Sequence, residues 1–573
     1  MRYLKNILML MAGCLSLVSC EDKLTETPNS DYTEDEFFSD PDNVEMGILG
    51  IYNVLPSLYG DYGMAFFASD DTWYAAPGVS DSGRRDISGY TLTTSNKYVE
   101  NAWLYTYQGL ERANYMIARI EGMDEYGGNA NLHKLVAEAK FLRALFSFNL
   151  VLYWGDVPYK TTSTDTYGEA YLPRTSREEI YDQIIEDLTD AEEGMDWATA
   201  SSSPERATQG AARALKMRVL LQRAGYSLQM DGQLKCPEDN LRQEYFTAVI
   251  EEWEAFEANG YHRLYTTADG VSSGFDDEGR TIGNYEALFR TFSYGTLNSK
   301  ESLFEVAFYT VDGSTGARGY WGTYNGSYVD APSIQTTETS NYMGRANANF
   351  RVVPEWKGYF EADDERRDVM VCTYRYVWNS DIYNHEKQEQ TATRSWYPGK
   401  WRREWMPLGY KDPNITDVNY CMLRYADVIL MAAEAYNEIG ETSMAWTLLN
   451  EVRERANATA VYSLQDYRTY QSLPDLPFFN GGTAQDNFRT ALYWERGFEL
   501  AFEGMRRYDL LRWGILRDAL VMTGNNTVAN TEGSTRAYLA GDNFQTGKHE
   551  LFPIPLDEIQ ANPLLENTNN PNY

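Results

Sequence analysis

Apolar residues recur at helical spacing along the first part of the chain. Four of them lie three or four residues apart: Val44, Ile48, Ile51 and Leu55. This spacing places side chains on one face of an α-helix. Asp40 before Pro41 is a typical helix start, because aspartate caps the first N–H groups and proline fits the first turn. The pattern therefore predicts an amphipathic helix from about residue 41.

Residues 135–154 form the strongest apolar run and are apolar nearly all the way round, which is typical of a buried central helix. The run stops at Gly155, with Pro158 beyond, as helix C-termini commonly do. Ser176 and Glu179 have the spacing of a capping box before a further helix. Helical periodicity returns in residues 103–117, 180–191, 207–224, 245–258, 425–439, 443–456 and 487–502. Helix follows helix through short connections, the pattern of stacked helical hairpins.

The pattern changes between residues 264 and 419. Glycine, serine, threonine, asparagine and tyrosine replace the regular leucines, and only short apolar alternations remain. Such a composition predicts long loops and small strands. We therefore divide the chain into an N-terminal helical part at about 20–260, a loop-rich insert at about 264–419 and a C-terminal helical part at about 420–573.

The first residues have the pattern of a secretory signal. Arg2 and Lys5 precede an apolar stretch of about twelve residues, which is too short to span a membrane. The stretch ends at Cys20, in a context that resembles a bacterial lipobox. We predict that residues 1–19 are removed, that Cys20 is acylated and that the protein is held on the membrane by this lipid anchor alone. Glu21 and Asp22 resemble the acidic signal that sends such lipoproteins to the outside of the outer membrane.

Charge and metal-ligating residues exclude several classes of partner. A formal net charge of −34 argues against nucleic-acid binding, which needs clustered lysine and arginine. Only three cysteines follow the anchor, at positions 236, 372 and 421, so no disulfide framework is expected. The four histidines are too widely spaced for a zinc motif. Acidic clusters at 276–278 and 363–365 offer oxygen ligands to calcium, but neither has EF-hand spacing. We expect solvated acidic loops there and no cofactor.

Catalytic motifs are absent from the sequence. It contains no Gly-x-Ser-x-Gly elbow, no His-Glu-x-x-His pair, no phosphate loop and no Gly-x-Gly-x-x-Gly. A glycoside hydrolase needs only two suitably placed carboxylates, so that class stays open. We nevertheless expect a binding protein and not an enzyme, because aromatic residues are the richer signal.

Several aromatic residues lie in irregular, polar stretches where no helical face can bury them. Sugars bind by packing a C–H face on an aromatic ring while their hydroxyls bond to polar side chains. Two stretches combine both residue types, and we predict ligand contacts from Asp70, Asp71, Trp73, Tyr74, Arg84, Tyr320, Trp321, Tyr324, Asn325 and Tyr328. The alternative is that these rings only hold the loops on the helical body.

Motifs along the mature chain resemble the SusD/RagB family of Bacteroidetes nutrient-binding lipoproteins. The similarity is carried by residues 137–144, 155–158, 172–175, 181–188, 423–427, 434–435, 495–500, 506–510, 553–555, 558 and 571–573. One difference is Asn572, where the family usually has glycine, and asparagine tolerates the same left-handed conformation.

The resemblance implies a fold, a role and a partner. The fold is mainly all-α, with tetratricopeptide-like hairpins in a superhelical scaffold, a loop-rich ligand face and minor strands. The role is non-catalytic delivery of glycans to a SusC-like TonB-dependent outer-membrane barrel. Three alternatives remain: an oligopeptide-binding import protein like RagB, a helical glycoside hydrolase and a structural scaffold. Because ligand residues differ between family members, the resemblance assigns none of them.

Overall fold

The structure is a computed structural model that describes most of the chain from residue 33 onward. Cys20 and the acidic cluster at 276–278 lie outside the described residues. The described ranges are 33–62, 67–75, 82–274, 279, 281–309, 318–330, 342–408, 415–532 and 535–573.

Helices make up most of the regular structure, which confirms the predicted fold class. In chain order they are α1 Glu34–Phe38, α2 Pro41–Tyr52, α3 Leu55–Ser57, α4 Ser82–Ser88, α5 Lys97–Glu121, α6 Ala130–Trp154, α7 Arg177–Gly194, α8 Gln209–Ala224, α9 Asp239–Asn259, α10 Asn284–Tyr294, α11 Trp356–Tyr359, α12 Arg366–Met370, α13 Tyr425–Glu438, α14 Thr442–Arg455, α15 Leu464–Tyr470, α16 Ala484–Leu500, α17 Arg506–Arg512, α18 Leu516–Asn526, α19 Ala540–Asn543 and α20 Leu556–Ala561.

Helix α6 is the central helix of the N-terminal part, as its all-round apolar sequence predicts. It is buried along nearly its whole length, contacts α5 and α7, and ends at Gly155 in a positive-φ conformation. Arg143 is tolerated inside it because its guanidinium makes two hydrogen bonds, at 2.8 and 2.6 Å, to the buried carboxylate of Asp187 on α7. The next helix boundary is also as expected, since the Ser176 hydroxyl accepts the N–H of Glu179 at 3.3 Å.

The strands are short and form antiparallel pairs among the described residues. They are β1 Thr72–Tyr74 with β7 Phe350–Val352, β2 Val157–Pro158 with β3 Arg174–Thr175, β4 Ser227–Leu228 with β5 Leu234–Lys235, β6 Ser302–Val306 with β12 Tyr420–Arg424, β8 Val371–Cys372 with β11 Tyr397–Pro398, and β9 Tyr374–Asn379 with β10 Asn384–Glu389. Strand pieces are thus present between 264 and 419 as expected. The region also contains α10, an eleven-residue helix that the sequence analysis did not predict.

The C-terminal part contains the predicted helix–turn–helix. Helix α13 ends before Gly440, which has a φ of +94°, and α14 begins two residues later. Asn572 also has a positive φ, +64°. This agrees with the expectation that asparagine adopts the left-handed conformation in place of glycine.

A network of buried ion pairs joins the loop-rich and C-terminal parts. Its members are side chains with almost no solvent exposure: Glu301, Asp364, Arg366, Arg424, Arg453, Arg455, Glu495, Glu499 and Glu503. Asp364 belongs to it through Arg366, at 2.7 Å. The expectation of a solvated acidic loop at 363–365 is therefore wrong for Asp364. Its carboxylate is buried because a guanidinium neutralises it there.

Candidate functional site

The candidate site is a stack of three tyrosine rings and one arginine, which we call the tyrosine stack: Tyr98, Arg84, Tyr324 and Tyr320. The guanidinium carbon of Arg84 lies 4.4 Å from the ring centroid of Tyr98 and 5.4 Å from that of Tyr324. The rings of Tyr324 and Tyr320 stack at 4.5 Å with 25° between their planes. All three rings are only half-buried, so part of the stack faces solvent.

A single turn of backbone places Tyr320 and Tyr324 on the same side of their loop. The N–H of Tyr324 donates to the carbonyl of Tyr320 at 3.0 Å. In such a helical turn, residues four apart are neighbours. The buried Asn325 side chain accepts the N–H of Gly322, whose φ is +78°. The carbonyl of Tyr324 accepts the N–H of Phe350 on β7, which fixes the loop on the body.

The other half of the stack is assembled by the N-cap of α5. The Asn96 side-chain oxygen accepts the N–H of Tyr98 at 3.0 Å, and its amide donates to the carbonyl of Gly83 at 2.9 Å. Gly83 precedes Arg84 on α4 and lies directly against the Tyr98 ring, where a Cβ would come within 2.8 Å. One capping residue therefore brings Arg84 next to Tyr98.

Three of the predicted rings are part of the core and not of an open surface. Trp321 is fully buried and lies parallel to Tyr420, with centroids 4.5 Å apart and planes 1° apart. Trp73 packs edge-on against Tyr538, and Tyr74 packs edge-on against Phe350 at 5.1 Å. Their faces are covered by protein. The geometry thus favours the alternative, that these rings hold the loops on the body.

The two predicted acidic contacts, Asp70 and Asp71, are also structural. Asp70 is fully buried, pairs with Arg506 through two bonds of 2.8 Å and accepts the hydroxyl of Tyr493 at 2.7 Å. Asp71 accepts the N–H of Phe502 at 3.3 Å. Burial, followed by the neighbouring charge of Asp70, raises the pKa of Asp71 to about 7. Both carboxylates therefore attach the segment before β1 to the C-terminal part.

The remaining predicted residues divide between the stack and its surroundings. Arg84, Tyr320 and Tyr324 are brought together. Asn325 supports the loop from beneath, as described above. Tyr328 is half-buried in a separate small cluster with Ala348, Cys372 and Tyr397.

Sequence reasoning missed Tyr98, the first ring of the stack. The only local signal was its place two residues after Asn96, a good N-cap residue. No sequence rule reports that Asn96 also binds Gly83, thirteen residues earlier.

The stack offers apolar ring planes on the outer faces of Tyr98 and Tyr320. The Arg84 guanidinium between Tyr98 and Tyr324 is buried. Within the described ranges, no group of three or more His, Cys, Asp and Glu side chains is placed to hold a metal ion.

The chain matches known protein families. Residues 293–573 match a model described as the SusD family, and residues 65–221 match one described as starch-binding and associating with the outer membrane. A SusD-like protein of Formosa agariphila is 25% identical over 98% of each chain.

Solved structures show the same fold. A SusD homolog from Bacteroides thetaiotaomicron superposes with a TM-score of 0.75 at 25% identity, covering 95% of this chain and 99% of the other. A laminarin-binding SusD-like protein superposes at 0.63 and 22% identity, covering 93% and 100%. One of these families is described as starch-binding and one of these structures is of a laminarin-binding protein, and none of the descriptions names a catalytic activity, in agreement with the expectation that this chain is not an enzyme.

Proposed function

Because the chain belongs to the SusD family, we propose that it captures glycans at a bacterial cell surface and delivers them to a SusC-like TonB-dependent transporter. The observation that carries the glycan proposal is the half-buried tyrosine stack, in which Tyr98 and Tyr320 each keep one ring face clear of the stack. One matched family is described as starch-binding, and one structural neighbour is a laminarin-binding protein; both support the proposal.

The stack is suited to hold a sugar ring weakly. Arg84 covers one face of Tyr324 and Tyr320 covers the other, so a pyranose packs its C–H face on the outer face of Tyr320 or of Tyr98. Each ring contact contributes up to about 1.4 kcal/mol, a factor of about ten in affinity, and each hydrogen bond about 1 kcal/mol, before the cost of ordering the ligand. Two rings and a few bonds thus give affinities of roughly millimolar to micromolar. Such a site acts by holding long ligands through repeated contacts.

The proposal includes a lipid anchor at Cys20 on the outer face of the outer membrane. Its support is the predicted lipobox, the acidic residues after it and a matched family described as associating with the outer membrane. Within the described residues, no helix combines the length and apolar character needed to cross a membrane. A tether would keep a weakly binding protein near its transporter at high local concentration.

Surface exposure predicts that added protease degrades the protein on intact cells. Immunoblotting after brief proteinase K treatment measures this, with a cytoplasmic protein as the control for cell integrity. Protection that is lost only after lysis would contradict the outward orientation.

The glycan site predicts that Tyr320→Ala weakens glycan binding about tenfold, the value of one stacking contact. Tyr324→Ala should weaken it as much, because Tyr324 holds the Tyr320 ring in place. The measurement is isothermal titration of residues 21–573 against laminarin, starch and other polysaccharides. Tyr462→Ala is the matched control, because that tyrosine is 68% exposed and lies outside the stack. We expect its affinity to equal that of the unaltered protein.

The same panel separates the alternatives. Equal affinity of Tyr324→Ala and the unaltered protein for a bound glycan would overturn the site. Binding to peptide digests, with none to any glycan, would overturn the substrate class and support an oligopeptide-binding protein. Release of reducing ends from a polysaccharide would support a glycoside hydrolase instead.

A further inference from the structure

A concave surface that shares no residue with the tyrosine stack lies on the N-terminal part. It is a groove of about 400 Å³ between α5, the segment 158–172 and the C-terminal residues 558–562. Its volume is in the range of small-ligand sites. We call it the α5 groove.

Aromatic rings line both walls of the α5 groove. Trp103 and Tyr107, one turn apart on α5, have ring centroids 4.7 Å apart. On the opposite wall, Tyr167 and Tyr171 meet edge to face at 5.3 Å. Tyr167 is 81% exposed, so folding buries little of its ring. Large rings dominate binding energetics when a partner covers them, and this ring is still uncovered.

The wall that carries Tyr167 is attached firmly to α5. The carboxylate of Glu111 accepts the N–H and the hydroxyl of Thr164 at 2.6 and 3.0 Å. Asn114 donates to the carbonyl of Lys160 at 3.1 Å. At the other end, Asn562 donates to the carbonyl of Leu172 at 2.9 Å. The groove is therefore formed before any ligand binds, which lowers the entropic cost of binding.

Polar groups are placed among the rings. The Lys160 ammonium donates to the carbonyl of Ser163 at 3.0 Å and lies 3.8 Å from the Glu169 carboxylate. Glu558 belongs to the lining on the opposite side. A wholly apolar occupant would remove these charges from water without replacing their hydrogen bonds, which is costly. A ligand with apolar faces and hydroxyl edges satisfies both the rings and the charges.

From this arrangement we propose that the α5 groove is a second sugar-binding site, which holds a pyranose ring between Tyr167 and the α5 rings. The inference rests on the proposed function for its ligand class and adds a separate location. Two weak sites on one chain would hold a long glycan more strongly than either alone, provided that the glycan reaches both.

The test is calorimetric stoichiometry with disaccharides. They are kept short because Tyr98 of the stack and Trp103 of the groove lie five residues, about 7.5 Å, apart along α5, so that a longer sugar reaches both. Laminaribiose and maltose are titrated into residues 21–573 of the unaltered protein, Tyr324→Ala, the double variant Tyr167→Ala/Tyr171→Ala and the control Tyr462→Ala. We expect two sites per chain in the unaltered protein and in the control. Tyr324→Ala should weaken one site about tenfold, and the double variant should weaken the other by at least as much.

Each outcome decides between the two proposals. One site that is lost in Tyr324→Ala and unchanged in the double variant overturns the α5 groove and leaves the proposed function intact. One site that is lost only in the double variant supports the groove and overturns the stack. No binding of either sugar in any protein overturns both for these ligands. Because Tyr167 contributes little to the core, circular dichroism should show the double variant folded.

Discussion

Replacing Glu499 by glutamine is expected to lower the free energy of unfolding by about 3 kcal/mol at pH 7. Burial alone would raise the pKa of this carboxyl, but the charges of Arg455, Arg424 and Arg366 outweigh it and lower the pKa to about 2. The shift from 4.5 corresponds to about 3 kcal/mol in favour of the ionised form, which glutamine cannot adopt. The Arg424 guanidinium lies 2.7 Å from this carboxylate and would lose that partner.

Urea unfolding at pH 7 measures the effect, and an exposed ion pair provides the control. Asp475 pairs with Arg468 at 2.7 Å, but its side chain is 87% exposed. Asp475→Asn should therefore change stability by less than about 0.5 kcal/mol. Equal stability of Glu499→Gln and the unaltered protein would show that the buried network is not held by charge.

The same variant should change the acid limb of the stability curve. A carboxyl whose folded pKa is depressed stabilises the protein above its unfolded pKa, here 4.5. That contribution falls as pH decreases from about 4.5 toward 2. The difference between Glu499→Gln and the unaltered protein should therefore shrink over this range, and a constant difference would contradict the assigned pKa.

The helical body could be predicted from the sequence because its signals are local. Residues 135–154 are apolar nearly all the way round and are followed by Gly155. Residues of the helix and its immediate neighbours therefore predict both the burial of α6 and its end. Helix α10 was missed because aromatic residues supply its buried face where leucines are scarce. Its Tyr285, Phe289 and Phe292 are buried all the same.

The candidate site could be predicted only in part because burial is decided by distant residues. Asp70 looked like a loop residue available to a ligand, yet its partner Arg506 is 436 residues away. Arg84, Tyr320 and Tyr324 do lie together, although both tyrosines are 236 or more positions from Arg84 in the sequence. Whether they bind a ligand stays a prediction until the titrations described above are made.

The burial of Trp321 is also decided by distant residues, and it predicts a large loss of stability when this side chain is removed. Its neighbours Gly319, Gly322 and Asn325 indicated an open loop, but Tyr420 on β12 covers one face and Trp401 packs edge-on at 4.7 Å. Removal of a fully buried tryptophan costs about 3–5 kcal/mol through lost burial and the cavity left behind. Trp321→Ala should therefore lower the free energy of unfolding by that amount in urea unfolding.

Comparison with Tyr324→Ala separates a framework role from a binding role. Tyr324 is half-buried, so its replacement should cost much less stability while weakening glycan binding about tenfold. Trp321→Phe keeps a ring against Tyr420 and should fold even if Trp321→Ala does not. At a temperature where it is fully folded, we expect this variant to bind glycan within twofold of the unaltered protein. A tenfold loss of affinity in folded Trp321→Phe, with unchanged stability, would instead place Trp321 in the binding site. A buried ring that only supports the framework affects a ligand through the structure around it, so its alteration would lower stability as well.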